Sequence, residues 1–379
     1  MSAIVLRKPT STVPVWKAEL ADIADRLKQE EIRADAANKF VGDNLALLRE
    51  RGFLAAGVPA ELGGWGLSRV ELAEMLRGIA GHCSATALAF AMHTHPVALA
   101  AWRWKNQKAP TDGLLKRVAA ERIQLLSSGG SDWLTGSGEA IRVDGGYRVN
   151  GRKIFASGAP SADLFMTGAV EQTPEGPTVL QFGLPMTAPG IEVVDTWDTM
   201  GMRGSASHDV ILKDVFVADQ AIAGRRPSGK WHPMMHMVSM VAFPLVYAVY
   251  TGVAEAACQI AVAAAATRAA SAPVETVGEL HNEWVATRIA HDSMVAFSEI
   301  AQPGPETTSE IFVHRALVAR GVLKTVELAM EAAGGAAYFR KLGLERLFRD
   351  AQGARFHPLQ GSQQRQLAGR TALGLPIDG

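Results

Sequence analysis

Residues 124–170 change the rhythm of the chain. On either side apolar residues recur at helical spacing, whereas here they alternate with polar ones, as in Tyr147-Arg148-Val149 and Lys153-Ile154-Phe155. Turn-forming residues, Asp144-Gly145-Gly146 and Asn150-Gly151, separate the alternating segments. Alternation with Asn-Gly chemistry predicts an antiparallel meander. A meander set between two helical stretches predicts an α+β chain with its strands and helices segregated. The stretch opens on small residues, Ser127-Ser128-Gly129-Gly130-Ser131-Asp132, whose backbone N–H groups can cradle an anion or a polar ring edge. It closes on Phe155-Ala156-Ser157-Gly158, where a planar ligand has room against a strand end.

The 379 residues suffice for a large core and two or three structural units. Lys plus Arg and Asp plus Glu both number 38, so no basic field exists to draw in nucleic acid. Cys83 and Cys258 lie far apart among apolar or small neighbours and make no metal or redox spacing. Both are expected as reduced core residues, and no metal site is expected. The N-terminus carries no continuous apolar stretch of the signal-peptide type, so a cytoplasmic location is expected. Residues 237–266 are nearly all apolar or small, with Glu255 the one charge, and reach the length of a membrane span. Pro244, Thr251, Glu255 and Gln259 interrupt that run, and no Lys/Arg cluster distinguishes its ends. It is read as a core helix, with no membrane partner.

Residues 1–120 read as a helical domain. One-faced patterns predict helices over 16–28 and 34–51, and Ser68 with Glu71 predicts a capping box at the start of a third. Ser84 is expected to cap a helix that ends at Met92-His93-Thr94-His95-Pro96. Two histidines at i and i+2 do not share a helix face, which argues against a metal site there. A β-domain is expected over 121–228, with further strands at 179–185, 191–194 and 209–217 and a Pro/Gly/Arg linker at 223–233. Residues 229–379 read as a bundle, with helices at 234–269, 276–299, 307–333, 343–352 and 360–372.

Several of these segments resemble one family. Gly130-Ser131-Asp132 and Asn150-Gly151-Arg152-Lys153 stand at the separation of the G-S-D loop and N-G-x-K turn of the acyl-CoA dehydrogenase superfamily of flavoproteins. Residues 55–66 resemble its V-P-E-x-x-G-G-x-G loop, and Met200-Gly201-Met202-Arg203-Gly204-Ser205 its M-G-x-R-x-[ST] turn. Ala329 to Gly335 and Glu345 to Ala351 resemble its Q-x-x-G-G-x-x-G turn and R-D-A stretch. The resemblance covers nearly the whole chain. It implies an N-terminal α-helical domain, a central antiparallel β-barrel-like domain and a C-terminal four-helix-type bundle. It carries over Leu125, Gly130, Ser131, Phe155 and Ser157 as flavin contacts. Arg268, Gly334 and Gly335 follow as pyrophosphate contacts of a neighbouring subunit's flavin. FAD is the cofactor implied, with FMN the alternative, and a homotetramer, at least a dimer, the assembly. Glu331 in place of Gln, and Ala269-Ala270-Ser271 in place of Phe-Gly after Arg268, depart from the pattern.

A larger departure concerns the reaction. Dehydrogenation of an acyl thioester needs a carboxylate to take the α-proton. In the family this is the Glu of an I-Y-E-G-T stretch, and a count without gaps from Arg349 places Pro358 there. The relocated position of some dehydrogenases falls on Ala242, beside Phe243 where Arg is common. Reading Gln360-Gly361-Ser362 as a displaced E-G-T leaves only an amide. The Asp195-Thr196-Trp197-Asp198-Thr199 segment resembles the monooxygenase branch instead. That branch takes reduced flavin from a separate reductase, uses O2, and needs a polar group in a dry cavity. It carries a His near R-D-A, about where His357 falls, although its second His, three residues earlier, is Ala354 here. It also places a His beside the flavin near His93, although a lone His near a helix end is more often a cap or a core hydrogen-bonder than a catalyst. The resemblance thus implies His357, His93 and Ser157 as catalytic groups, with His357 moving a proton near neutrality. Three readings follow. The first is a two-component monooxygenase acting on a small organic substrate. The second is a thioester dehydrogenase with His357 or His232 as base, and the third a catalytically silent flavin- or acyl-CoA-binding protein.

Overall fold

Five helices precede the sheet in the computed structural model, which describes residues 14–128, 130–268 and 271–378. They are α1 (Val15–Ala37), α2 (Gly42–Glu50), α3 (Arg69–His82), α4 (Ser84–Gln107) and α5 (Asp112–Glu121). The Ser68–Glu71 capping box is formed in both directions. Two boundaries differ from expectation. The second helix does not begin at residue 34, because α1 runs on to Ala37 and stops where Asn38 turns left-handed. Nor does α4 end at Pro96. It continues to Gln107, capped by Cys83 rather than Ser84. Proline costs the helix one hydrogen bond, but α4 is buried along most of its length, and that burial outweighs the lost bond.

The strands are β1 (Leu125–Ser127), β2 (Glu139–Val143), β3 (Gly146–Ala156), β4 (Leu164–Thr173), β5 (Gly176–Pro185), β6 (Ile191–Val194), β7 (His208–Ala218) and β8 (Ile222–Pro227). They form one sheet in the order β6-β7-β3-β2-β4-β5-β8, with β1 added on β4. Most pairs are antiparallel; β1 and β2 meet β4 in parallel. Asn150-Gly151 is not a turn but lies inside β3, at a shift in its register with β7. There the Asn150 side-chain oxygen accepts from Asp214 N–H at 2.8 Å, so the pair serves a bulge rather than a hairpin. Residues 223–227, expected as linker, belong to the edge strand β8 paired to β5. The inward residues of the strands, among them Tyr147, Val149, Phe165, Leu180 and Val215, make a core of their own.

The C-terminal helices α6 (Pro233–Ala266), α7 (Val274–Ile300), α8 (Pro305–Ala333), α9 (Leu344–Ala351) and α10 (Gly361–Ala372) follow the predicted segments closely. The apolar stretch is α6, and 94% of its most hydrophobic window is buried inside the protein. It is a core helix, touching α3, α4, α7, α8 and α9. At Gly252 it lies so close to α3 that a Cβ would stand 2.4 Å from the Arg77 carbonyl oxygen. One hydrophobic core therefore spans both helical blocks. Cys83 and Cys258 are buried and free.

Candidate active site

The end of β3 is where the sheet meets the helices. Phe155 has φ +59°, a left-handed backbone that a bulky residue rarely adopts, and its ring is 49% exposed. It meets Trp197 edge-on, centroids 6.0 Å apart. Trp197 is held in turn by its indole N–H on the Met202 carbonyl at 2.9 Å. The two rings stand perpendicular, so Trp197 walls one side of the exposed Phe155 ring. Two residues on, Ser157 is buried and its hydroxyl bonds Ser207 at 2.7 Å, which bonds Ser205 at 2.7 Å. The Gly158 N–H closes the same junction on the Ser205 carbonyl at 2.9 Å. Residues 155–158 and the 200–207 turn, singled out separately in the sequence, are one structure.

The small-residue loop is locked to this strand by Lys153. Its ammonium is wholly buried and donates to the Asp132 carboxylate at 2.9 Å and to the carbonyls of Ser137 and Gly168. Burial pushes its pKa below the usual lysine value, and Asp132 pulls it back. Arg226 of β8 ties the same loop through the carbonyls of Asp132, Trp133 and Leu134. Gly130 packs against Pro358, with which a Cβ would collide at 2.7 Å. The Ser131 side chain lies outside the described residues. Leu125 is not a ring contact by its side chain, contrary to expectation. It is 1% exposed and packed with Ala55, Val58 and Val97, because β1 enters the sheet with that residue facing the helices.

His93 is likewise corrected. Its Nε2–H donates to the Leu54 carbonyl at 2.8 Å and its Nδ1 accepts from Leu125 N–H at 2.9 Å. Both nitrogens are spent on backbone and the ring is 1% exposed. Burial takes its pKa down to about 4. A neutral ring with no free nitrogen cannot move a proton for a substrate; it fastens β1 to α4. His232 is also a structural group, its Nδ1 accepting from Met234 N–H at the start of α6.

The histidine on the other face of α4 does reach the site. His95 Nε2 lies 2.9 Å from the Ser127 hydroxyl at the end of β1. Its pKa falls to about 3 through burial, His93 and His357, which places His95 within electrostatic reach of His357. His357 Nε2 is 2.7 Å from the Tyr250 hydroxyl of α6. The segment bearing His357 is anchored by Arg315 of α8, which donates to the His357 carbonyl at 2.7 Å, and by Tyr247, which donates to the Ala354 carbonyl at 2.8 Å. Burial, then Arg315, lowers His357 to about 4, while burial raises Tyr250 well above the usual tyrosine value. Among the described residues no carboxylate acts on His357. The nearest charge is therefore the Arg315 guanidinium, and His357 and Tyr250 themselves are neutral. His95, Ser127, Tyr250 and Trp197 were missed as site residues. His95 was in view at the expected end of its helix but set aside as sharing no face with His93, and Tyr250 sits in a mostly apolar helix 107 residues from its partner.

Arg268 and Gly334 come together at one end of the bundle. The guanidinium donates to the Ala332 carbonyl at 2.6 Å, and a Cβ on Gly334 would stand 3.2 Å from it. Nothing lies within 4 Å of a Cβ on Gly335, so the turn presents open backbone beside a cation. The R-D-A stretch packs on the 200–207 turn: Asp350 accepts from Met202 N–H at 2.5 Å and from the Ser84 hydroxyl at 2.6 Å. Burial and the neighbouring Glu31 raise Asp350 to about 7.

Two family descriptions match this chain: acyl-CoA dehydrogenase, N-terminal domain, over residues 17–111, and acyl-CoA dehydrogenase, middle domain, over residues 127–215. The chain carries the N-terminal and middle domains of the acyl-CoA dehydrogenase family. It is similar to a putative acyl-CoA dehydrogenase, YdbM, of Bacillus subtilis (strain 168), at 25% identity over 90% of this chain and 92% of that one. It is similar to a pigment production hydroxylase of Rhodococcus sp. (strain ATCC 21145), at 28% identity over 92% of each. Among solved structures it resembles KijD3 in complex with FMN and a dTDP-linked 3-amino-4-keto sugar, with TM-score 0.88, 26% identity, and coverage of 100% of this chain and 98% of that one. This is a family of flavin-dependent oxidoreductases with the architecture described above, and its relatives span dehydrogenase-like proteins and oxygenating enzymes.

Proposed function

We propose that this chain is a flavin-dependent monooxygenase that uses reduced flavin and O2 on a small organic substrate. The observation that carries this reading is that, among the described residues, no carboxylate acts on His357. The two family positions for a dehydrogenase base are held by Pro358, packed on the Gly130 loop, and by the buried Ala242. His357 is a poor replacement, since burial and Arg315 hold it at about 4. Its environment disfavours taking a proton from a weak carbon acid. The similarity to a hydroxylase across nearly the full length points the same way.

The residues present fit a flavin. Phe155 offers a half-exposed aromatic ring with Trp197 standing edge-on beside it, Ser157 lies two residues on, and Arg268 with Gly334-Gly335 offers a cation beside open backbone for phosphate. Reduced flavin bound there would supply the two electrons that activate O2. FAD is the better match to a separate phosphate cradle, with FMN the alternative. A separate reductase would deliver the reduced cofactor. The assembly we propose is a homotetramer in which the Arg268 cradle serves a neighbouring copy. Tyr338 and Phe339, 87% and 69% exposed beside that cradle, suit burial between copies. The working compartment we propose is the cytoplasm.

Similarity to the putative dehydrogenase keeps a second reading in play. The two separate in one experiment. Protein carrying chemically reduced flavin is mixed with 18O2 and a panel of phenols, sulfur heterocycles and amines. In parallel, the oxidised form is titrated anaerobically with acyl-CoA thioesters. Incorporation of 18O into a product, with no bleaching of flavin by the thioesters, is expected. Bleaching without 18O uptake would establish the dehydrogenase, and inertness in both arms a silent binding protein.

A further inference from the structure

The Tyr250 hydroxyl and His357 Nε2, 2.7 Å apart, leave open which atom donates. A neutral imidazole has one N–H and one lone pair, and a phenol has one hydrogen to place. If Nε2–H donated to the phenol oxygen, the Tyr250 hydrogen would need a second acceptor. Among the described residues Tyr250 has no hydrogen-bond partner but His357, and its ring is sealed, 1% exposed, against the backbone at Gly353. A buried hydroxyl hydrogen without an acceptor is strongly disfavoured. The reverse arrangement gives the phenol hydrogen its acceptor and leaves the imidazole N–H on Nδ1, an atom that is not sealed.

We propose that Tyr250 is a positioning residue that donates its hydroxyl to Nε2 of His357 and thereby fixes the ring as its Nδ1–H tautomer. His357 is then a hydrogen-bond donor and not a base. Nδ1 makes no bond to the described residues, and, unlike Nδ1 of His291, it is not a sealed atom without a partner. Among the described residues it is the one ring nitrogen of His357 without a partner. The surrounding groups keep the dyad neutral. Arg315 lies over the Tyr247 ring at 5.2 Å and lowers His357. Tyr247 and Asp350 raise Tyr250, and His95, the other imidazole in range, is itself neutral. The substrate or activated oxygen met by His357 is therefore one that accepts a hydrogen bond. This last step rests on the monooxygenase reading; the tautomer does not.

Gly353 is what permits the contact. A Cβ there would stand 2.7 Å from the Tyr250 oxygen, so Gly353→Ala displaces the hydroxyl without deleting it. The test uses the full-length flavin-loaded protein with 15N-labelled histidine. Long-range 1H–15N spectra at neutral pH identify the protonated nitrogen, with the His357 signal assigned by its loss in His357→Gln. Wild type is expected to show protonated Nδ1 and an accepting Nε2. Tyr250→Phe and Gly353→Ala are each expected to give mixed tautomers. On a turned-over substrate, Tyr250→Phe should lower kcat about 10- to 100-fold, as loss of an orienting partner does, with KM changed less than about threefold. A protonated Nε2 in wild type overturns the proposal, as does an unchanged Nδ1–H tautomer in both variants. Protonated Nδ1 in a protein that oxygenates nothing upholds the dyad and removes the monooxygenase reading instead.

Discussion

At the scale of single residues, the site depends on buried polar groups whose partners are backbone. Lys153 is the extreme case, an ammonium with no exposed surface that joins the strand to the small-residue loop. Removing one member of a buried ion pair leaves the other charge uncompensated. Lys153→Met is expected to cost about 3–5 kcal/mol, read by denaturant unfolding, and to weaken flavin binding because the Gly130 loop loses its tether. A loss under about 1 kcal/mol would mean that Arg226 alone holds the loop. The resemblance that pairs G-S-D with N-G-x-K thus has a physical cause, since Asp132 of one motif is the counter-ion of Lys153 in the other. His93 makes the contrasting point. Its residue type suggests chemistry, and only its two backbone partners reveal a structural tie.

At the scale of elements, α6 organises the molecule. Its apolar length answers to neighbours on all sides, and its crossing with α3 is set by Gly252. Gly252→Ala places a methyl against the Arg77 carbonyl and is expected to destabilise by about 1–3 kcal/mol, the cost of overpacking. Thermal unfolding measures it, and a neutral result would mean that α3 slides freely. The same helix carries Tyr247 and Tyr250 to the His357 segment, so a core helix also positions the site. The continuation of α4 past Pro96 has a comparable consequence. It places His95 on the face opposite His93, and so delivers one histidine to backbone and the other to Ser127.

At the scale of the whole molecule, four neutral histidines make stability depend on pH. His93, His291 and His357 are held at about 4 and His95 at about 3, all lowered chiefly by burial. Between the ordinary histidine value, about 6.5, and these values the unfolded chain binds protons that the folded chain does not. Stability is therefore full above about pH 6.5 and falls as pH drops towards 4. Asp350 acts oppositely. Raised to about 7, it contributes stability present below about pH 4 that is lost as pH rises through 7. One such group does not offset four histidines, so the melting temperature is expected to fall steeply on acidification from pH 6.5 to 5. A flat profile over that interval would show the histidines to be solvated.

How much was legible beforehand follows from how far each signal reaches along the chain. Local patterning placed every C-terminal helix and the strands β5, β6 and β7, and local capping chemistry placed the start of α3. Phe155 to Gly158 and Gly334-Gly335 were marked by motifs whose members lie close together or repeat a family spacing. What local patterns could not supply was which way an ambiguous residue faces. Asn150-Gly151 carries hairpin chemistry, yet pairing with β7 keeps it within a strand. Pro96 carries a stop signal, yet burial carries the helix past it. Leu125 and His93 were in the right neighbourhood but turned to the core. The Tyr250–His357 pair joins residues far apart in the chain, and neither one's local sequence mentions the other. Sequence alone determined the family of fold and the absence of a carboxylate at the two base positions, because both rest on residue identity at known spacing. Tertiary structure decided which polar groups are spent on the fold and which remain free for chemistry, because that depends on hydrogen-bond partners brought together only by folding.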